Sequence, residues 1–452
     1  MLSRFSLVRA TGLACLLVVL PGCTTRGAAE GKVVLSYTRW GDPAEMESTR
    51  ELIAHFESEN PDILVNVDVV SWEQYWQKMK TATATGTAQD VWLMSPAYVE
   101  EYAGAGYLLD LMPFIRNDPT FNEDDYYEGC FDAFSFVGTG NEMRRVPFGQ
   151  GQLYAFTRDY NCRLLYYNRD HFDAQGLAYP NDEWTWDDLV RAAKRLTIDF
   201  DGDGVIDQWG YGGLEYTAFA GVNGAEPMRP TKPGVNYQKD YRSNYRSTPM
   251  VEAIRFCRDL IHRYHVHPPP TVQLGEGDRF VTGKVSMAVA GVWCIRRYNA
   301  SKYLWDIARI PTDVKGRKRS FVGGGVAHCI YSGTRHPAEA YKLVKFLSSE
   351  RSQKELAKSG TSVPVLKAAR HWKEFLEPFD RPPKSSYHVI WESLSGRPRG
   401  VRFTKGYLEY STARRRILEG VWRGNRSPEE ACRMIDTETD RIIAEKYGLD
   451  QP

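Results

Sequence analysis

The spacing of apolar and polar positions changes period several times along the chain, and each change marks an element. Lys32–Thr38 (KVVLSYT) is a short β-rich run. Asp42-Pro43-Ala44-Glu45 has the composition of a helix start: an acidic cap, a proline suited to the first turn, and a glutamate three positions on. Met46, Leu52, Ile53 and Phe56 then recur at helical spacing until Asn60-Pro61 ends the run. Ile63–Val70 (ILVNVDVV) alternates as a strand, Trp72–Ala84 reads as a second helix and Val91–Met94 as a third strand. That order predicts a parallel sheet with crossover helices. Ligands of such sheets gather at the carboxyl ends of the strands. Two loops are therefore singled out: Arg39-Trp40-Gly41-Asp42 after the first strand, and Ser95-Pro96-Ala97-Tyr98 after the third.

From Val146 the pattern shifts. Leu153–Phe156 and Leu164–Asn168 read as strands, and Thr185–Leu196 as an amphipathic helix capped by Thr185. Pro249–His262 is a further helix, Gly283–Trp293 a strand feeding a Gly-rich turn, and Phe321–Tyr331 another strand. Pro337–Ser348, Arg351–Lys358 and Ser427–Glu445 are helical, the last capped by Ser427.

At 452 residues the chain is long enough for two large domains, against a prior of roughly 100–200 residues each. Apolar residues at 42% and charged residues at 25% are ordinary globular composition. A net charge of +1, with no basic run interleaved with aromatics, excludes nucleic acid as an expected partner. The 12 Trp and 26 Tyr are numerous enough to call for a use beyond the core.

Residues 1–22 read as a leader rather than as fold. Arg4 and Arg9 precede the uncharged run Leu13–Leu20, which is shorter than the about 20 apolar residues of a membrane-spanning helix and has the shape of a secretory signal. Leu20-Pro21-Gly22-Cys23 resembles a bacterial lipobox, so Cys23 is the expected lipid-attachment site and residues 23–30 a flexible tether. Cys130, Cys162, Cys257, Cys294, Cys329 and Cys432 remain, as bridges or as buried thiols, and no CxxC pair suggests zinc.

The usual catalytic motifs are missing: there is no HExxH, GxSxG, P-loop or dinucleotide fingerprint. Paired carboxylates of a polysaccharide-active enzyme are left open by sequence alone. His262, His265 and His267 follow a helix end, where histidines ordinarily complement the dipole. One motif is specific: Asp199, Asp201, Asp203, Val205 and Asp207 occupy ligand positions of a calcium loop, with Gly204 at its turn. Gly210 stands where a bidentate glutamate is expected, which predicts a weakened structural site. No other cofactor is required.

Several segments together resemble the extracellular solute-binding proteins of bacterial ABC importers, in the sugar-binding group. They are the lipobox; Trp40-Gly41; Tyr102–Asp110; Val146-Pro147 followed by Leu165–Asn168; Trp184–Leu189; Asp203-Gly204 with Trp209–Tyr211; Phe280 with Gly283-Lys284, Met287 and Gly291–Trp293; Val322–Gly325; and Ala338–Ala340 leading into Phe346–Ser348. Spread over most of Lys32–Ala368, they stand in family order.

The resemblance implies an α/β, two-lobe periplasmic-binding-protein-like (type II) fold with a hinged interlobe cleft. It places chain crossings near Pro147, Pro311 and Pro364, with lobe one at 31–148 plus 312–362 and lobe two at 149–311 plus 363–452. It implies a monomer that is not an enzyme, anchored in the cell envelope through Cys23, which captures a carbohydrate and delivers it to the membrane subunits of an ABC permease. A polyol or glycerol-phosphate-type ligand is the alternative within the class. By position in the family pattern, Trp293 is the stacking platform of lobe two, with Gly291 before it and Glu215 and Tyr216 as polar contacts. Trp40, Gly41, Asp42, Tyr75, Ser95 and Tyr98 are the lobe-one contacts. Gly324 and Gly325 allow close backbone approach to ligand. The segment Pro382–Tyr410 matches the family poorly, so Tyr407 and Tyr410 stay outside this set.

Overall fold

The computed structural model describes residues 31–41, 43–232, 238–272, 277–314, 325–377, 379–394 and 403–450. Cys23, Asp42 and Gly324 lie outside the described residues, as do the leader and the whole of the tether.

The amino-terminal half follows its periodicity. Strand β1 (Val33–Trp40), helix α1 (Pro43–Glu59), β2 (Ile63–Val70), α2 (Trp72–Ala84) and β3 (Val91–Met94) succeed one another. β1 pairs in parallel with both β2 and β3, as the crossover helices require. Every residue of β3 is buried, which explains its unbroken apolar run. Strand Ala327–Ile330 returns to this sheet antiparallel to β3, and Phe156–Thr157 closes the edge beyond it. A second, smaller sheet has Arg163–Asn168 at its centre, flanked antiparallel by Met287–Gly291 and Trp305–Ala308. Its own core gathers Leu165, Phe172, Leu189, Phe219, Ile254 and Cys257.

Local signals seat the helices. Thr185 and Asp188 form a reciprocal capping box at the start of helix Trp186–Arg195, and Ser427 accepts from Glu430 N at 3.1 Å at the start of Pro428–Tyr447.

Two boundaries depart from the expected ones. Pro147 does not mark a crossing: Gln152–Leu153 pairs with Ser135–Val137, and Phe156–Thr157 still belongs to the first sheet. The expected strand Leu153–Phe156 is thus split between two sheets. Thr312, placed in lobe one by sequence, still pairs with Thr185 in the second. The chain instead leaves the first sheet at Arg158–Tyr160, where Asp159–Tyr160 pairs with Val363–Pro364. Arg158 N donates to Val326 O at 2.8 Å, and Asp159 Oδ1 accepts from Val326 N at 3.0 Å. Three passes of chain between the sheets therefore meet at Asp159.

All six cysteines described are buried and free, which decides between the two alternatives left by the sequence.

Candidate functional site

The end of β1 delivers Trp40 into a nest of aromatics. Its ring meets Trp72 at 4.9 Å, Tyr75 at 5.0 Å and Trp76 at 5.8 Å, the first two edge-on. Trp76 stacks on Tyr98 at 3.7 Å, and Tyr98 meets Tyr407 edge-on at 5.5 Å. Helix Tyr407–Trp422 carries Tyr407, Tyr410 and Arg414 at spacings of three and four, so all three share one face. Arg414 donates to Tyr245 Oη at 3.0 Å, and Tyr245 lies 3.4 Å from Tyr216 Oη. Tyr216 opens the short helix Tyr216–Val222, and Glu215 before it pairs with Arg163 at 3.0 Å. Arg163 lies over the Trp293 ring at 5.3 Å. A continuous seam of rings and polar groups thus runs from Trp40 on the first sheet to Trp293 beside the second.

Trp293 is presented for a structural reason. It sits between buried Val292 and Cys294 in a single 3₁₀ turn, so its indole faces the other way and is 38% exposed. Gly291 makes room for it: a Cβ there would lie 2.2 Å from the ring.

Other residues singled out by sequence have different work. Tyr75 does not reach the rim; it is fully buried, its hydroxyl donating to Leu93 O at 2.8 Å. The helical period gave its face, but the packing of Trp40 and Trp76 over it sets its depth. Ser95 Oγ accepts from Ala97 N at 3.3 Å and closes its own turn. Gly41 N donates to Val70 O at 3.1 Å at the end of the β1–β2 ladder. Gly325 serves the crossing: its Cβ would lie 1.5 Å from the carbonyl oxygen of Asp159. Trp76, Arg163 and Arg414 were not singled out by sequence, and Tyr407 was left outside the set. Each is brought to the seam by a tertiary contact that no local spacing announces.

A groove of about 650 Å³ lies elsewhere, along α2 between Gln74, Lys78 and Thr87. It is open and has no aromatic wall, so it lacks what a sugar face needs.

In the acidic loop, carboxylate oxygens of Asp199, Asp201 and Asp207 lie within 4.8 Å of one another. Asp203 is not in that group; its carboxylate accepts from Val205 N at 2.7 Å. The histidines do not converge: His262 contacts Trp422 O, while buried His267 lies at 2.7 Å from Pro268 O and accepts from Gly213 N at 3.1 Å. Burial holds the His267 imidazole down at about 4.

Comparison with known proteins completes the picture. Residues 40–354 match the family described as bacterial extracellular solute-binding protein. The chain belongs to that family. Family members bind solutes for ABC transporters rather than turning them over. An uncharacterized lipoprotein of Streptomyces antibioticus is 28% identical over 189 residues, 41% of this chain and 38% of that protein. The erythritol/L-threitol-binding protein of Mycolicibacterium smegmatis is 24% identical over 243 residues, 51% of this chain and 49% of its own length. The chain thus spans half or less of these two relatives. Among solved structures, the fold resembles an ABC substrate-binding protein of Listeria monocytogenes solved with cycloalternan, with TM-score 0.77, 24% identity, and coverage of 93% of this chain and 100% of that one. It also resembles a Thermotoga lettingae solute-binding protein bound with α-D-tagatose, with TM-score 0.72, 22% identity, and coverage of 91% and 100%. These likenesses show a two-lobe type II binding-protein fold.

Proposed function

We propose that this protein captures a carbohydrate or polyol between its two lobes and passes it to the membrane subunits of an ABC permease, while a lipid on Cys23 holds it at the membrane. The observation that carries the reading is the seam from Trp40 through Trp76, Tyr98 and Tyr407 to Trp293. A sugar ring has apolar faces that aromatic rings cover, and a rim of hydroxyls that Arg163 and Glu215 can pair. The polyol named for the mycobacterial relative and the tagatose held by the Thermotoga protein support that ligand class. Ligand touching both lobes favours the closed arrangement, because only then does it gain contacts from each.

A thermal-shift panel of monosaccharides, disaccharides and polyols tests this. Ligand at about 100 times its dissociation constant adds ~2.7 kcal/mol to the native state. A shift with at least one member is expected; none across the panel would overturn the reading.

We also propose that the Asp199–Asp207 loop takes a calcium ion weakly and for structure only. Three converging carboxylates repel one another unless a cation offsets them.

A further inference from the structure

Guanidinium groups drawn into this protein are mostly neutralised. Arg39 pairs with Glu45 at 3.0 Å, Arg158 with Asp159 at 3.3 Å, and Arg309 with Asp182 at 3.3 Å. In the seam itself Glu215 answers Arg163. Glu409, on the same helix as Arg414, is paired with Lys446 at 2.6 Å and Lys80 at 3.7 Å. Arg414 is different. Tyr216, Tyr245, Tyr407 and Tyr410 surround it, one nitrogen donates to Tyr245, and no carboxylate among the described residues pairs with it.

An arginine at such a position keeps its charge, and its planar fork of donors is only partly used here. Removing a charge from water is costly unless a counter-charge answers it. The tyrosines supply dipoles but no negative charge at neutral pH. The missing counter-charge therefore points to the guest.

We propose that Arg414 receives one anionic group, carboxylate or phosphate, on the sugar, so that the preferred ligands are acidic carbohydrates rather than neutral ones. This rests on the carbohydrate reading above. A fork-to-fork pair with a carboxylate or phosphate also fixes orientation, while Trp293 and the opposing aromatics cover the sugar faces. Hydroxyl-only ligands leave the guanidinium unpaired.

Isothermal titration with glucose, glucuronate and glucose 6-phosphate provides the test, on the wild-type protein, Arg414→Gln and Arg414→Lys. The wild type is expected to bind at least one acidic sugar tenfold or more tighter than glucose, and which acid it prefers separates carboxylate from phosphate. Arg414→Gln lowers affinity for the acidic sugar at least tenfold more than affinity for glucose, which erases the preference. Arg414→Lys keeps part of the preference, because the charge survives without the fork. Glucose binding as tightly as both acids would overturn the proposal, as would a preference that persists in Arg414→Gln. So would binding confined to neutral sugars, which leaves the carbohydrate reading standing. Failure of every sugar and polyol to bind would instead remove the carbohydrate reading, and this proposal with it.

Discussion

Trp293 shows what a residue's neighbours decide. Glycine before it and apolar residues either side are visible in the sequence, and together they turn the indole outward. Trp293→Ala should weaken ligand binding at least tenfold, about 1.4 kcal/mol, with the ligand-free melt unchanged, as read by titration and thermal denaturation. Unchanged affinity would remove Trp293 from the site. Tyr75 carries the opposite lesson. Its place on α2 suggested the rim, yet it lies beneath Trp40 and bonds Leu93 O. Periodicity tells which face a side chain takes, not how many layers cover it. Tyr407 and Arg414 were illegible for a related reason: their partners, Tyr98 and Tyr245, lie far off in sequence.

At the scale of elements, long periodic stretches were legible and short ones were not. Ile63–Val70, Trp72–Ala84 and Val91–Met94 stand where the pattern put them, because eight to thirteen residues of periodicity or a buried apolar run leave little choice. The crossing pair Asp159–Tyr160 and Val363–Pro364 spans two residues a side, too few to show a period. Proline marked one side of it and not the other: Pro364, where a crossing was expected, pairs with Asp159, whereas Pro147 sits in a loop where Phe148 N donates to Asp132 at 3.0 Å. Gly325 is the better marker. Gly325→Ala forces a Cβ into the Asp159 carbonyl and should cost about 2 kcal/mol or more in urea unfolding; a cost within about 0.5 kcal/mol would show that the crossing yields freely. The acidic loop makes its own prediction. Millimolar calcium should raise the melting temperature and a chelator reverse it, whereas indifference to both would leave a turn tied by its backbone donors.

Across the whole molecule, a second cluster of contacts joins the first lobe to the carboxyl-terminal helix. Tyr447 donates to the buried carboxylate of Glu100, Asn141 donates to Tyr447 O at 3.0 Å, and Lys239 pairs with Glu142. Burial raises Glu100 from 4.5 to about 7, with Tyr447, Arg145 and Lys405 only partly opposing it. Between those values the unfolded chain gives up the proton while the folded one keeps it. Stability therefore falls as pH rises through that window, by up to ~3 kcal/mol. Glu100→Gln should gain on the wild type from pH 4.5 to 7 in denaturant titrations; a constant difference would contradict the assignment.

Closure of the lobes over a sugar is the claim on which the rest depends. The direct test is small-angle X-ray scattering, with and without a carbohydrate that raises the melting temperature. A smaller radius of gyration is expected on binding, with none of that contraction in Trp293→Ala under the same conditions. Saturating ligand that leaves the wild-type scattering curve unchanged would contradict it.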